Sequence, residues 1–531
     1  MLSKEKINLK NYLPVAIFFF AFLLNQFSGN KGIFPIDSFS HFDIGYRLLN
    51  NDLPFKDYWV VSGPFVDLLQ ALIFSIFDTS WQTYLLNGSI LNGIVAVITY
   101  KLFISLKLDK KFSFFYSMCF ATLAYPVSGT PFVDLHSTYF CIISIYLLIF
   151  AIKDKKLLYW FFVPIFLGFA FLSKQVPAAY LGFSIILFII YDFILSDKRY
   201  YLKVFYVLAS STASFLALFL IIFYLKDISI ISFIDQYINY PREIGNKRYS
   251  QLTYNFGDII LNFKFINILV LSLLVVNFFR FFDNKKFYRE TSFKIFLILF
   301  FLFLSLIHHQ ILTKNQEFIF FLIPLFSAFI HIELKTFKPL YKKYIIYFIL
   351  IFCLLITIKY HVRFNIEKKF HELNNVNFKN AVSGSVLDKK FKGLNWITPD
   401  KKEKNEVGDE IKTIKEILEI LKNDKQKKML FTNYSFFSVL LKETTNSPSR
   451  WFPGDDSAFP VKESKFYNNY KKFLLKQIRN KEIVNIYFVY DVNEKNLLDY
   501  IPLECFEKNK VHKALIKFKV NKKCNYIEKK N

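Results

Sequence analysis

Residues 293–312 have the sequence FKIFLILFFLFLSLIHHQIL, in which Lys294 carries the only formal charge. An α-helix of about 20 residues rises about 30 Å, which is the thickness of the hydrocarbon core of a bilayer. Buried strands of soluble α/β proteins contain about four to eight apolar residues, so the length of this run argues against that class. The stretch therefore predicts a transmembrane helix.

Comparable runs recur from Leu13 to Ile358 and set the fold class. Hydrophobic residues make up 53% of the chain, and phenylalanine accounts for 68 of its 531 residues. Because backbone in hydrocarbon must satisfy its own hydrogen bonds, these runs favour helices. We predict an all-α polytopic membrane protein with about eleven spans. They lie at residues 12–28, 83–106, 112–128, 137–152, 157–173, 178–195, 202–225, 263–282, 293–312, 316–333 and 343–360.

Much of the Lys and Arg behind the net charge of +26 lies in short loops between these runs. The basic loops are KLDKK (107–111), KDKK (153–156), SDKRYY (196–201), RFFDNKKFYRE (280–290) and ELKTFKPLYKK (333–343). With this count of spans, all of them fall on the same side as the basic N-terminus, which the positive-inside rule makes cytoplasmic. The charge therefore suits an anionic inner leaflet, and no nucleic-acid partner is expected. The predicted location is a bacterial inner membrane.

A change of composition after Tyr360 predicts two domains, a membrane domain over 1–360 and a small periplasmic α/β domain over 361–531. KKMLFTNYS and IVNIYFVYD predict buried strands, while EIKTIKEILEILKND and KFYNNYKKFLLKQIRNK predict helices. Cys505 and Cys524 are the only candidate disulfide, because the other cysteines lie in apolar runs.

The first outer loop contains FPIDSFSHFDIGYRLLNNDLPFKDYWVVSGPF (34–65), which places four aspartates among aromatic residues. Residues 38–51 predict a short helix with Asp37 or Ser38 as its N-cap. Residues 62–78 are apolar but short and interrupted by polar side chains, so they predict a second helix that lies in the membrane interface rather than crossing it.

Carboxylates and cations on one side of a bilayer suit a transfer reaction from a lipid-linked donor. A carboxylate takes the proton of the acceptor, and cations balance the charge of the leaving phosphate. The candidate acids are Asp37, Asp43, Asp57 and Asp134. The candidate cations are Lys174, Arg242, Lys247, Arg248 and Lys314. Phe39, His41, Phe42 and Tyr46 are expected to line a pocket for the sugar ring.

Each acid also has a structural explanation. Asp37 could serve as an N-cap and Asp57 as a turn residue, whereas Asp43 could be solvated. Asp134 could pair with His136 or with a loop amide. The outer cations could contact lipid head groups, although basic residues on the outer side run against the positive-inside bias.

Metal sites are not predicted. His308 and His309 are adjacent on a helix and point about 100° apart, which suits one ion poorly, so interfacial histidines are the preferred interpretation. Asp455 and Asp456 are expected to form a turn in the tail, with acceptor contact as the alternative. No cofactor is assigned, and a divalent metal stays open.

The order D-x5-D-x-G-Y-R-x-L-x2-D-L-P-F-x-D-Y-W-x3-G-P, from Asp37 to Pro64, resembles the first lumenal loop of the glycosyltransferase C superfamily. The likeness is closest to its protein-mannosyltransferase and aminoarabinose-transferase-like branch. Those integral membrane enzymes move a sugar from a polyprenyl phosphate to an acceptor, typically with inversion. The resemblance implies that Asp37 is the catalytic aspartate, that Asp134 is the second acid, and that Lys174–Gln175 is the family's Lys-Gln pair.

The chain departs from the family pattern at two places. Ser38 follows Asp37 where many members have a second acid, and Gln316–Glu317 lies where many have an Arg-Tyr pair. The prediction is a hexosyl- or pentosyltransferase that uses a polyprenyl-phosphate sugar and a glycan, lipid or protein acceptor. Asp37, Asp57 and Asp134 are its catalytic candidates, and the other residues named above are its substrate-binding candidates.

Two other functions remain as alternatives. A transporter or lipid flippase would place ionisable residues in mid-membrane, whereas the spans here are almost free of mid-span charge. An envelope polysaccharide polymerase would concentrate its key residues in one large late outer loop. The clustering of acids in the first outer loop favours the transferase over both, and over a scaffold without catalytic groups.

Overall fold

The computed structural model describes residues 12–32, 35–252, 255–313, 319–337, 341–368, 377–398, 404–453, 457–490, 492–521 and 523–524. Helices dominate the described chain. They are α1 Leu13–Gly29, α2 Pro35–Leu49, α3 Pro64–Ile76, α4 Trp81–Ser105, α5 Lys110–Leu123, α6 Val133–Asp154, α7 Leu157–Ser173, α8 Gln175–Leu195, α9 Lys198–Leu225, α10 Ile230–Phe233, α11 Tyr240–Ser250, α12 Lys264–Asp283, α13 Thr291–Thr313, α14 Leu322–Phe337, α15 Lys342–Tyr360, α16 Lys404–Asn423, α17 Phe437–Leu441, α18 Tyr467–Asn480 and α19 Lys495–Leu498.

The strands of the described residues all lie after α15, the last long apolar helix. They are β1 Val382–Ser383, β2 Asn395–Trp396, β3 Lys428–Phe431, β4 Asn485–Val489, β5 Phe506–His512 and β6 Leu515–Val520. One sheet has the order β3-β4-β6-β5, in which β3 and β4 are parallel and the other pairs are antiparallel. β3, β4 and α18 lie within the segments that the sequence predicted as strands and helix, and α16 covers most of the helix predicted over 410–424 but begins earlier, at Lys404. The predicted disulfide between Cys505 and Cys524 is present, with the two Cα atoms 5.3 Å apart.

Seven helices of the described chain are long and apolar enough to cross a membrane. They are α4, α6, α8, α9, α12, α13 and α15, the last extended by a π-helical turn to Ile366. The predicted count of eleven is not confirmed, because the other four predicted spans correspond to shorter helices: α1, α5, α7 and α14. In α5 the helix ends at Leu123, before a 3₁₀ turn at Tyr125–Val127 that contains Pro126. A 14-residue helix rises only about 21 Å.

Burial differs sharply among the long helices. α6 is almost completely enclosed by its neighbours, whereas α9 is almost completely exposed on the outside of the bundle. The exposed side chains of α9 are large and apolar, as Leu202, Phe205 and Leu218 illustrate. Apolar side chains on the outside of a helical bundle are expected where lipid rather than water is the surrounding solvent. The described helices therefore form a multi-pass membrane bundle.

Two of the basic loops meet at one end of this bundle. Lys335 Nζ lies 2.8 Å from a carboxylate oxygen of Asp109 and thereby joins two of the predicted inner loops. Lys294, near the start of α13, has its Nζ 2.5 Å from Asp192, which lies near the end of α8. The predicted outer segments are those that connect the spans on the side opposite the basic loops. They meet around one cavity.

The first outer loop folds as two helices, α2 and α3. α2 begins at Pro35, so the prediction that Asp37 or Ser38 caps it is wrong. Proline suits the first helical turn, where its missing N–H would have no intrahelical acceptor. This shift places Asp37 inside the helix as its third residue.

The C-terminal region shares a hydrophobic core with this loop. Phe39 and Phe42, both fully buried, pack against Phe391, and Phe39 also contacts Phe436. These two phenylalanines were expected to line a sugar pocket, and their burial in this shared core makes that expectation wrong. The burial of such large aromatic surfaces fixes the C-terminal region against α2.

Candidate active site

A cavity of about 450 Å³ lies where the predicted outer segments meet. Its walls come from α2, the turn before α3, the starts of α6 and α8, one face of α11, the end of α13 and four residues of the C-terminal region, namely Arg450, Trp451, Pro453 and Ser457. Its polar lining residues are Ser40, His41, Ser62, Asp134, Lys174, Gln175, Arg248, Thr313, Arg450 and Ser457. All the predicted outer segments thus contribute to one concave site, of a size typical for small-molecule ligands.

Asp134 is held at the start of α6 by two basic side chains. Lys174 Nζ lies 2.7 Å from both carboxylate oxygens, and His309 Nε2 lies 2.8 Å from Oδ1. Lys174 is extended between the end of α7 and the start of α8, which lets its side chain reach back to α6. The carboxylate is 2% exposed, so these contacts provide the compensation that a buried charge needs.

His309 was missed by the sequence, which predicted two interfacial histidines. It is fully buried against Asp134, whereas His308 lies partly exposed and accepts or donates a hydrogen bond at 2.9 Å with Tyr249 Oη. The 100° rotation between neighbours on a helix explains this division, because one ring faces the bundle and the other faces its surface. The alternative pairing of Asp134 with His136 is also wrong, since His136 Nε2 contacts Asn87 Oδ1 at 2.9 Å.

A second buried cluster joins α2, α3 and the C-terminal region. Asp67 is fully buried in α3, and its Oδ1 lies 2.7 Å from Nδ1 of His41. Its other oxygen accepts a hydrogen bond from Nη2 of Arg450. A charged residue in an otherwise apolar helix was the one sequence signal for Asp67. Arg450 had no such signal, because only the tertiary structure brings it to this carboxylate.

Gly63 makes the close packing of this cluster possible. A Cβ atom there would lie 2.9 Å from Nη1 of Arg450 and 2.9 Å from the His41 ring, with Val133 nearer still. The residue also has a φ of 76°, which glycine adopts without steric cost. The Gly-Pro pair before α3 therefore allows the cavity wall and the cluster to approach each other.

α11 presents one face to the cavity. Pro241, Ile244, Gly245 and Arg248 line it at the spacing of one helical face. Arg242 and Lys247 are exposed on other faces, and neither lines the cavity. Of the three candidate cations predicted in this helix, the structure brings only Arg248 to the site.

Two predicted acids lie away from the cavity and join elements together. The alternative that Asp43 is solvated is wrong: it is buried and accepts hydrogen bonds at 2.8 Å from Ser438 N and Oγ. Burial raises the pKa of Asp43, and the neighbouring Arg47 opposes this shift. Asp57 accepts a hydrogen bond at 2.8 Å from Leu53 N and lies 3.5 Å from Lys481.

Three other predicted site residues complete the comparison. Tyr46 is half-buried beside Lys390, at 5.9 Å from ring centre to ammonium, and does not line the cavity. The side chain of Asp37 and the whole of Lys314 lie outside the described residues, as do Asp455 and Asp456. The backbone of Asp37 lies three and four residues before Ser40 and His41 in α2, and residues at that spacing share a helix face.

The charged lining is predominantly positive. Lys174, Arg248 and Arg450 face a single lining carboxylate, Asp134, among the residues described. Within the same set, no three His, Cys, Asp or Glu side chains are grouped as metal ligands. The arrangement is chemically suited to an anionic ligand beside an apolar bundle.

Residues 61–224 match the family model described as dolichyl-phosphate-mannose-protein mannosyltransferase. The match begins in the turn before α3 and ends in α9, so it includes Gly63, Asp67, Asp134 and Lys174 of the two buried clusters. No curated protein matches the chain significantly. The family match confirms the resemblance drawn from the sequence and, together with the apolar helices, supports a membrane glycosyltransferase of the glycosyltransferase C type.

Proposed function

We propose that the protein transfers a sugar from a polyprenyl-phosphate donor to an envelope acceptor on the outer face of a bacterial inner membrane. The observation that carries this proposal is the convergence of all the predicted outer segments on one cationic cavity at the end of an apolar bundle. The matching family, whose description names a dolichyl-phosphate sugar donor, supports the donor class. The acceptor is a glycan, lipid or protein with a free hydroxyl.

The cations serve the leaving group. When the bond between the anomeric carbon and the phosphate oxygen breaks, negative charge grows on the polyprenyl phosphate. Arg248 and Lys174 line the cavity and can balance that charge, because fixed cations in a site shielded from water stabilise a developing anion strongly. The acceptor oxygen forms the new bond on the opposite face of the sugar, which gives inversion.

Asp37 is the proposed general base. It takes the acceptor proton as the new bond forms. The support is the placement of its backbone on the face of α2 that carries Ser40 and His41 to the cavity. Asp134 is less suited to this role, because Lys174 and His309 already occupy its oxygens. We assign Asp134 the task of positioning the Lys174 ammonium.

The test is complementation of a strain that lacks the protein, followed by mass spectrometry of its envelope glycans. Asp37→Asn should lower turnover about 10²–10⁴-fold, the usual contribution of a general base, and leave donor binding nearly unchanged. Asp57→Asn is the matched control, since Asp57 lies in the same loop but outside the cavity. Normal transfer by Asp37→Asn with loss of transfer in Asp57→Asn would place the base elsewhere in this loop, and normal glycans in the deletion strain would refute the proposed function.

A further inference from the structure

Arg450 belongs to the C-terminal region, yet it forms part of the cavity wall. The side chain is 5% exposed, and its Nη2 is committed to Asp67. Its Nη1 is buried and has no hydrogen-bond partner among the described residues. A buried donor without an acceptor is costly, and such groups in native proteins call for an explanation such as a ligand.

The chain around Arg450 is fixed to the first outer loop at several points. We call this segment, residues 447–453, the junction strap. Arg47 Nη2 donates to the carbonyl of Ser447 at 2.8 Å, and Trp59 N donates to the carbonyl of Pro448 at 2.9 Å. Phe452 N donates to Asn433 Oδ1 at 2.8 Å within the C-terminal region. The guanidinium is therefore positioned before any ligand arrives, which reduces the entropy lost on binding.

The charges around Arg450 leave it suited to an anion. Asp67 is shared between Arg450 and His41, so its negative charge is already distributed over two partners. On the cavity side, Arg450 joins Lys174 and Arg248 in the lining. A planar guanidinium with one nitrogen held by a carboxylate can offer its other nitrogen to a phosphate oxygen.

We propose that Arg450 binds a phosphate oxygen of a substrate through Nη1, so that the C-terminal region is part of the substrate-binding machinery. This inference rests on the proposed function, because it assigns a ligand group to the same cavity. The phosphate belongs either to the lipid donor or to a water-soluble substrate. In either case the membrane helices alone form an incomplete site.

The test measures phosphate binding by the full-length protein in lipid nanodiscs. The probes are undecaprenyl phosphate, added to the nanodisc lipid, and inorganic phosphate, added to the buffer. Arg450→Gln should weaken binding of at least one probe about ten- to a hundredfold, the effect of losing a charge-assisted hydrogen bond. Loss for undecaprenyl phosphate assigns the contact to the donor, and loss for inorganic phosphate alone assigns it to a soluble substrate.

Lys428→Gln is the matched control. Lys428 is also a buried cation of the C-terminal region, paired with Glu443 at 2.7 Å, but it does not line the cavity. Its substitution should leave both dissociation constants within about twofold, because it removes an ion pair and no ligand contact. An equal loss in Lys428→Gln and Arg450→Gln would show a general loosening of the C-terminal region and overturn the inference.

Two further variants keep the inference testable if Arg450→Gln does not fold. Asp67→Asn combined with Arg450→Gln removes both charges and leaves no carboxylate stranded, so it should fold and still bind weakly. Arg450→Lys keeps a cation beside Asp67 and should bind with intermediate affinity. Wild-type affinity in a folded double variant would overturn the inference. Absence of undecaprenyl phosphate binding in the wild-type protein would instead refute the proposed function.

Discussion

Replacement of Asp134 by asparagine should strand the ammonium of Lys174 at the centre of the site. The carboxylate accepts from Lys174 Nζ at 2.7 Å on each oxygen and is bonded to His309 at 2.8 Å. An asparagine has the same shape, but its amide nitrogen would face one of these donors. Breaking a buried ion pair from one side typically costs about 3–5 kcal/mol, because the remaining charge stays unpaired.

The partial exposure of Lys174 determines where in this range the loss of unfolding free energy is expected to fall. The Lys174 side chain is 19% exposed and that of Asp134 is 3% exposed, so water partly stabilises the stranded ammonium. We therefore expect a loss near the lower end, about 3 kcal/mol, for Asp134→Asn and a similar loss for Lys174→Met. The double variant should lose only about 4 kcal/mol, which leaves a coupling energy of about 2 kcal/mol.

Equilibrium unfolding in mixed micelles, followed by circular dichroism, measures these free energies. Lys153→Met is the control on the same helix, since Lys153 and Asp154 form a partly exposed pair that should contribute less than about 1 kcal/mol. If the losses of Asp134→Asn and Lys174→Met simply add in the double variant, the two residues are not coupled and the description of this cluster is wrong.

Three further predictions concern the cavity and its junction. Arg248→Ala should raise the apparent KM for the lipid donor about tenfold while Arg242→Ala leaves it unchanged, because only Arg248 lines the cavity; equal effects in donor titrations would contradict this assignment. Gly63→Ala should destabilise the protein by about 1–3 kcal/mol, since its Cβ would lie 2.9 Å from Arg450 and φ is 76°; an unchanged unfolding midpoint would refute the packing. Burial acts to raise the pKa of Asp52, but Arg47 and Lys481 outweigh it and lower the net pKa. The stabilisation from Asp52 should therefore be complete above about pH 4 and decline as the pH falls through the lowered pKa, and Asp52→Asn should remove this acid-dependent part of a melting profile; identical profiles would exclude it.

The membrane character of this protein was determined by its sequence alone, because length and apolarity of a run are local properties. The run 293–312 lies within α13, and seven of the predicted spans correspond to helices long enough to cross. The predicted count of eleven spans is not confirmed, because the length of an apolar run does not show where its helix ends. The run 112–128 illustrates this, because its helix stops at Leu123 before Pro126.

The likeness of the first outer loop to the glycosyltransferase C superfamily was also readable, since its spaced acids, aromatic residues and Gly-Pro pair form a local pattern. The sequence predicted only in part which basic residues reach the cavity. It named Arg242, Lys247 and Arg248 together, although helical spacing alone could have separated Arg248 from the other two, because they lie on different faces of α11.

What the acids of the first outer loop do was decided by tertiary structure. Asp43 bonds Ser438, Asp52 pairs with Lys481, and Asp67 pairs with Arg450, so these carboxylates anchor the C-terminal region rather than face solvent. Their partners lie about 380–430 residues away in sequence, as the separations of 395, 429 and 383 show. The sequence around a carboxylate does not predict which distant cation or hydroxyl will compensate its burial. Only packing of the aromatic core between α2 and the C-terminal region brings those partners within hydrogen-bond distance.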